Sequence, residues 1–375
     1  MVKNTLFFET SLRGHRYEYL RNLYYACIES KNETFVFCIP EDDRVKEWKH
    51  ADNIKVVSLL QHQVDYLTNG NLLLLSYRKA KFIKNLVKEY DIKHVFLIFL
   101  MLYMPVLIFF LPPTVTVSGI VYRSFLWEDI LKQSRLRKIF EWMRYWVMAK
   151  SQKVSKVLLL NDEKSAETFN KKFSTDKFLR LPDPYTPLEG DLTDIRKDLS
   201  LKNSDILFIQ IGQLSGRKGT LEILDAIAMM TREELAHRHF FFAGKVVGDI
   251  SDVFYTKMKY LTDRGAHIYV KDEFVSFEFL NSLCASCDGM LVPYKNTCQS
   301  SGAIGYAAQF GKPVVGPSRG LLGNLISRYQ LGYQIEDVTA EALYNAIVDF
   351  KRIPVPDDYV RDNQLDDFLK ICLNE

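Results

Sequence analysis

Residues Gly212-Gln213-Leu214-Ser215-Gly216-Arg217-Lys218-Gly219 set two adjacent cations among three glycines. Glycine lets a backbone turn tightly, and the first amides of a helix attract anions. Lys218 adds a point charge, and Arg217 a fork that can grip two oxygens. Spacing and residue types exclude a Walker loop, and the run is not GxGxxG. Two readings stay open: a phosphate cradle, or a Gly-rich strand–helix turn with exposed basic residues. A second run, Pro293-Tyr294-Lys295-Asn296-Thr297-Cys298-Gln299-Ser300-Ser301-Gly302, leads into a helix predicted over 302–310. Ser300 or Ser301 can cap that helix. Small residues at Gly302, Ala303 and Gly305 would let a diphosphate approach the backbone. The alternative is a capped helix whose small residues serve packing. A third run, Arg13-Gly14-His15-Arg16, follows the first predicted strand. A neutral histidine there can orient or deprotonate a hydroxyl near pH 7, making His15 the candidate catalytic residue. The alternative is a helix-start loop with surface His and Arg.

These runs need a scaffold, and the sequence supplies a βαβ rhythm. In the first half, strands are expected at 5–9, 34–39, 54–58, 94–99, 114–118 and 157–160, with helices over 17–30 and 72–90. In the second half, strands are expected at 206–211, 240–243, 268–270, 290–292 and 313–315, with helices over 220–229, 253–264, 277–284 and 302–310. The proline-rich stretch LPDPYTPLEG marks a linker at 183–190 between domains 1–182 and 191–355. The polar tail 356–375 is a candidate to cross back onto the first half. Alternation of this kind implies an α/β fold with parallel sheets, whose ligands bind at the carboxyl ends of the strands.

Composition limits the function classes. The 375 residues are 47% hydrophobic and 25% charged, as in an ordinary folded protein of two domains. A net charge of +3 does not argue for nucleic acid. Six cysteines do not make a disulfide framework. Cys284 and Cys287 lack a second ligand pair for zinc and read as buried thiols in a cytoplasmic protein. His237 and His239 precede a strand without a third ligand, so a surface turn is expected and no metal. The start of the chain lacks a signal-peptide pattern. The apolar run 95–111 is interrupted by Pro105, so a strand followed by a short helix is preferred to a membrane span.

From Arg123 to Lys153 the chain carries eight Lys/Arg against three acidic residues, and three of its four tryptophans. Leu136, Ile139, Phe140, Met143 and Val147 recur at helical spacing among Arg135, Arg137, Lys138 and Arg144. The pattern suits a helix lying on an anionic bilayer. It also suits a helix packed on the core with a solvated basic face.

Together the motifs resemble the GT-B glycosyltransferases of family 4 type. The resemblance covers nearly the whole chain and is strongest over 207–336. Gly212 through Lys218-Gly219, Ala243-Gly244, Pro293-Tyr294 and Gly311-Lys312-Pro313-Val314-Val315 recur there in the family's order. The resemblance implies two Rossmann-like domains facing across a cleft. It implies metal-independent transfer of a sugar, with retention, from a nucleotide-sugar to a glycan or lipid-linked acceptor in cell-surface polysaccharide synthesis. No cofactor is expected beyond the donor, and the location would be cytoplasmic, peripheral on the inner membrane face. Carried over, Gly14, Gly212, Gln213, Arg217, Lys218, Ser300, Ser301 and Gly302 would meet the diphosphate. Gly244, Lys245, Phe274, Cys298, Gln299 and Tyr306 would surround nucleotide and sugar. Arg13, Ser118 and Gly119 would line the acceptor side. Where the family usually has Arg, this chain has Gln213, and where it tends to have two glutamates, Cys298 and Tyr306; a further family glutamate corresponds to Asn324. These departures leave two alternatives, a catalytically silent subunit that binds a partner or glycan, and a sugar-nucleotide epimerase.

Overall fold

The computed structural model describes residues 3–12, 14–30, 33–128, 134–185 and 192–373. The chain divides into two compact units, Met1–Pro182 with Asp366–Glu375, and Asp183–Leu365.

The first unit is built on one parallel sheet. Its strands are β1 (Lys3–Phe8), β2 (Glu33–Pro40), β3 (Ile54–Leu59), β4 (His94–Leu97), β5 (Thr116–Val121), β6 (Val154–Leu160) and β7 (Phe178–Leu181). They lie in the order β3-β2-β1-β4-β5-β6-β7. Parallel strands need crossovers, which cover both faces, so the strand centres are apolar on both sides. Leu6, Phe8, Val95, Leu97 and Val117 share a core with Ala80, Ile83, Leu107, Tyr145, Met148 and Phe169. Helices Leu72–Glu89, Val106–Phe110, Arg135–Lys150 and Glu163–Phe173 therefore lie on one face. Phe7 points to the other face, its ring 4.5 Å from Phe37 and 5.4 Å from Phe96. That face is covered by helix His15–Ile28 and the last helix, Leu365–Leu373, whose Phe368 ring lies 4.9 Å from Tyr19.

The second unit repeats the plan with β8 (Ile206–Ile211), β9 (Arg238–Ala243), β10 (His267–Lys271), β11 (Gly289–Leu291), β12 (Val314–Pro317) and β13 (Gly332–Ile335). The order is β10-β9-β8-β11-β12-β13, again all parallel. Its core joins Phe208, Phe240, Leu291 and Val315 to Ile223 and Leu224 of helix Thr220–Met229, and to Leu343 and Ile347 of helix Ala340–Val348.

In each sheet the chain starts in the middle and reverses direction once, between β1 and β4 and between β8 and β11. Loops at the carboxyl ends of those strand pairs splay apart and leave room for a ligand.

Several expectations are refined. The apolar run 95–111 is β4 followed by the short helix Val106–Phe110. Among the described residues no helix is long and apolar enough to cross a membrane. Strands β7 and β13, short and partly polar, were not expected. His239 is not in a turn: β9 begins at Arg238, and His239 is buried with its ring 4.4 Å from that of His267. Cys284 and Cys287 are buried free thiols, and burial pushes the Cys287 thiol up to about 12. Most of the expected linker lies on residues 186–191, outside the described residues.

Candidate functional site

In the second unit the two glycine- and serine-bearing runs flank the switch point, one after β8 and one after β11. Gly212 leaves β8 with φ +79°, and Gly219 enters helix Thr220–Met229 with φ +69°. A side chain on Gly219 would collide with the Pro293 carbonyl, and one on Gly244 with the Gly212 carbonyl. Backbone approach therefore demands glycine at both places. The Lys295 amide donates to the Arg217 carbonyl at 3.0 Å, tying the two runs together.

Lys218 folds back over the end of β8. Its Nζ donates to the Ile211 carbonyl at 3.1 Å and lies 5.0 Å from the Tyr294 ring. A Cβ on Gly212 would sit 2.9 Å from that Nζ, so glycine there makes room for the ammonium. Arg217 is exposed. Neither cation has a carboxylate partner among the described residues, whereas neighbouring Lys295 is neutralised by Glu222 at 2.6 Å. Beneath the turn, Gln210 Oε1 and Ser215 Oγ are buried without a hydrogen-bond partner among the described residues. Two cations without carboxylate partners among the described residues thus stand at the carboxyl end of β8, beside the sheet's switch point.

The rest of the expected donor set is distributed unevenly. Ser301 caps helix Gly302–Gln309 by accepting from the Ala303 amide at 3.3 Å, which leaves Gly302 in the first turn. Ser300 instead donates to Asp183 Oδ2 at 3.0 Å. Gln213 is exposed beside Gly212, Gln299 is half-buried, and Cys298 is buried. Lys245 reaches Asp272 at 3.3 Å, and Asp272 is held below the usual carboxylate range first by the Tyr255 hydroxyl, with the Val246 amide and Lys245 adding to it. Phe274, after β10, is largely exposed. Tyr306 packs edge-on against Tyr185, ring centroids 5.0 Å apart.

In the first unit the switch point gathers residues that spacing alone did not single out. Glu9, directly after β1, is fully buried. Its Oε1 accepts from the Thr10 amide at 2.7 Å, the Ser11 amide at 3.0 Å and Arg16 Nη1 at 3.1 Å. Oε2 has no hydrogen-bond partner among the described residues. Burial raises the Glu9 pKa against the opposing pull of Arg16, Lys79 and the two amides. Lys79 is also buried, which lowers its pKa, and its Nζ lies 5.0 Å from the Tyr103 ring. The Arg16 guanidinium lies 4.9 Å from the Phe99 ring, and Phe99 packs on Tyr122 at 5.3 Å. A lone glutamate at a strand end carries no sequence signature; an acidic residue closing an otherwise apolar strand was the one available sign.

This carboxylate anchors the turn that carries Gly14 and His15. Gly14 has φ +59° with open space where a side chain would be. His15 Nδ1 lies 3.1 Å from Glu18 Oε2, and its ring stacks 6.0 Å from Tyr19. Arg13 lies outside the described residues. Ser118 and Gly119 sit inside β5 because the strand runs on to Val121, past the expected end at 118. Ser118 Oγ is buried within 2.8 Å of His94 Nε2, and a side chain on Gly119 would collide with the Leu97 carbonyl.

No protein-family model matches the chain, and no curated protein matches it in sequence. Solved structures do match over essentially the full length. HepE from Anabaena, in complex with UDP and glucose, aligns with a TM-score of 0.67 at 14% identity, covering 98% of each chain. WaaG, a glycosyltransferase involved in lipopolysaccharide biosynthesis, aligns with a TM-score of 0.65 at 14% identity, covering 100% of each chain. A glycosyltransferase from Rickettsia africae aligns with a TM-score of 0.67 at 14% identity, covering 100% of this chain and 99% of that one. The fold is that of the GT-B glycosyltransferases, with two Rossmann-like domains.

Proposed function

We propose that the chain is a glycosyltransferase of family 4 type, moving a sugar from a nucleoside diphosphate donor to a glycan or lipid-linked acceptor. The observation that carries the proposal is the pair of cations Arg217 and Lys218, without carboxylate partners among the described residues, at the β8–β11 switch point. A nucleoside diphosphate supplies the negative charge that such a site lacks. When the glycosidic carbon–oxygen bond breaks, charge grows on the departing diphosphate. Lys218, Arg217 and the first-turn amides at Ser301 and Gly302 would stabilise it without a metal. Lys218 needs only to exchange the Ile211 carbonyl for a phosphate oxygen. HepE was crystallised with UDP, which makes UDP and its sugars the first donors to try. The Gly14–His15 turn would serve the acceptor, with His15 orienting its hydroxyl, and retention of configuration is the outcome that the family 4 likeness suggests. Assembly of a cell-surface polysaccharide is the matching role.

Thermal-shift titration with UDP, UDP-sugars and other nucleoside diphosphates tests the reading. Stabilisation by at least one of them is expected, weakened by Lys218→Ala. No response to any would favour a silent partner- or glycan-binding subunit instead. Product analysis separates transfer from epimerisation: release of UDP with a new glycosidic bond supports transfer, whereas an epimerised sugar would replace it with the other reading.

A further inference from the structure

The helix Arg135–Lys150 is apolar on two faces, one packed in the core and one exposed. It buries Arg144, Tyr145, Met148 and Ala149. Arg144 is held inside by the Met101 and Met104 carbonyls and by Glu141, the last at 3.1 Å. Its other apolar stripe faces out: Leu136 is 79% exposed, Ile139 65% and Trp146 51%, with Phe140 and Met143 also exposed. A soluble helix normally has one apolar stripe, the one it hides, and solvates its arginines.

Two other helices of the same sheet face also expose apolar side chains. Phe109, on the short helix Val106–Phe110, is 77% exposed. Phe110 packs edge-on against Tyr77 of helix Leu72–Glu89, and Tyr77 and Leu73 are exposed in turn. Exposed apolar side chains gathered on three helices of one face mark that face as a contact surface.

The charges around it identify the partner. Lys81, Lys84 and Lys88 are exposed on helix Leu72–Glu89 and Arg135 at the start of the next, none with an ion pair among the described residues. Of the acids close by, Glu128 is neutralised by Arg123 at 2.6 Å and Arg137 at 2.9 Å and Glu141 by Arg144, while Glu89 is exposed beside Lys88. A lipid bilayer with anionic headgroups complements both features, accepting the apolar side chains between its headgroups and the lysines at its surface.

The geometry points to the outer face of the 72–89, 106–110 and 135–150 helices as a docking surface for an anionic membrane. Contact is made in the plane of the bilayer, since no described helix can span it. The inference does not depend on what the second unit binds.

Co-flotation of the full chain with vesicles tests it. The protein is expected to float with vesicles rich in phosphatidylglycerol, to stay behind with phosphatidylcholine alone, and to dissociate in high salt. Leu136→Asp with Ile139→Asp should abolish flotation with the unfolding temperature unchanged, because both side chains are largely in water already. Lys84→Glu with Arg135→Glu should lower the partition coefficient by about tenfold or more. Failure of the unaltered chain to float with anionic vesicles would overturn the inference, as would flotation of the aspartate variant like the unaltered protein. Light scattering that shows a dimer, dissolved into monomers by the same two aspartates, would also overturn it by assigning the face to a second copy of the chain.

Discussion

Lys218 and Glu9 are buried or half-buried charges with opposite circumstances. Lys218 rests on a carbonyl and has no counter-ion among the described residues, so its charge is available to an incoming anion. Lys218→Ala should weaken nucleoside diphosphate binding by about 2 kcal/mol, roughly thirtyfold in Kd, with little change in stability without ligand. Calorimetric titration of both proteins checks this. Glu9 has its charge consumed inside the protein, where one oxygen holds Arg16 and the backbone of Thr10 and Ser11. Removing it strands a guanidinium and two amides. Glu9→Ala should cost about 3 kcal/mol in denaturant unfolding, and Glu9→Gln less, because the amide oxygen can still accept. If both are neutral, the carboxylate does not hold the turn.

Among the elements, the loop after β8 depends on backbone contacts that forbid side chains. Gly219→Ala adds left-handed strain and a collision with the Pro293 carbonyl, so about 2 kcal/mol or more of destabilisation is expected, with loss of nucleotide binding. Strand β9 supplies a pH-dependent element. Burial and the neighbouring His267 lower the His239 pKa to about 4, below the usual value of about 6.5. Between those values the unfolded chain takes up a proton that the folded chain refuses. Stability should therefore fall as pH drops from about 6.5 to about 4, and His239→Gln should flatten that part of the profile relative to the unaltered protein. Denaturant midpoints across this range, compared between the two proteins, give the answer.

For the molecule as a whole, each unit carries its own sheet and core, and the first is completed from the far end of the chain. Phe368 is fully buried against Tyr19, and Lys156 Nζ donates to the Ile371 carbonyl at 3.3 Å. Phe368→Ala should cost the first unit about 3 kcal/mol or more while leaving nucleotide affinity of the second unchanged. Calorimetric unfolding with and without nucleotide distinguishes this from a global loss of stability.

What the sequence determined by itself is what local chemistry dictates. Apolar runs between turn residues announced the βαβ order, because strands buried on both faces must be apolar. Gly212 and Gly219 announced their turns, because few residues tolerate those backbone positions, and the cap was narrowed to Ser300 or Ser301, of which the structure uses Ser301. The strand 206–211 and the helix 220–229 were legible to the residue for this reason. What only the tertiary structure decided depends on neighbours far apart in the chain. Glu9 became a buried anchor when Arg16, Lys79 and Tyr103 closed around it. Tyr306 packs on Tyr185, and Ser118 lies within β5 because the strand runs on to Val121. The helix Arg135–Lys150 had a legible apolar stripe, but periodicity does not say which way a stripe faces. Core packing of Tyr145 and Met148, with Arg144 held by the Met101 and Met104 carbonyls, leaves Leu136, Ile139 and Trp146 outside.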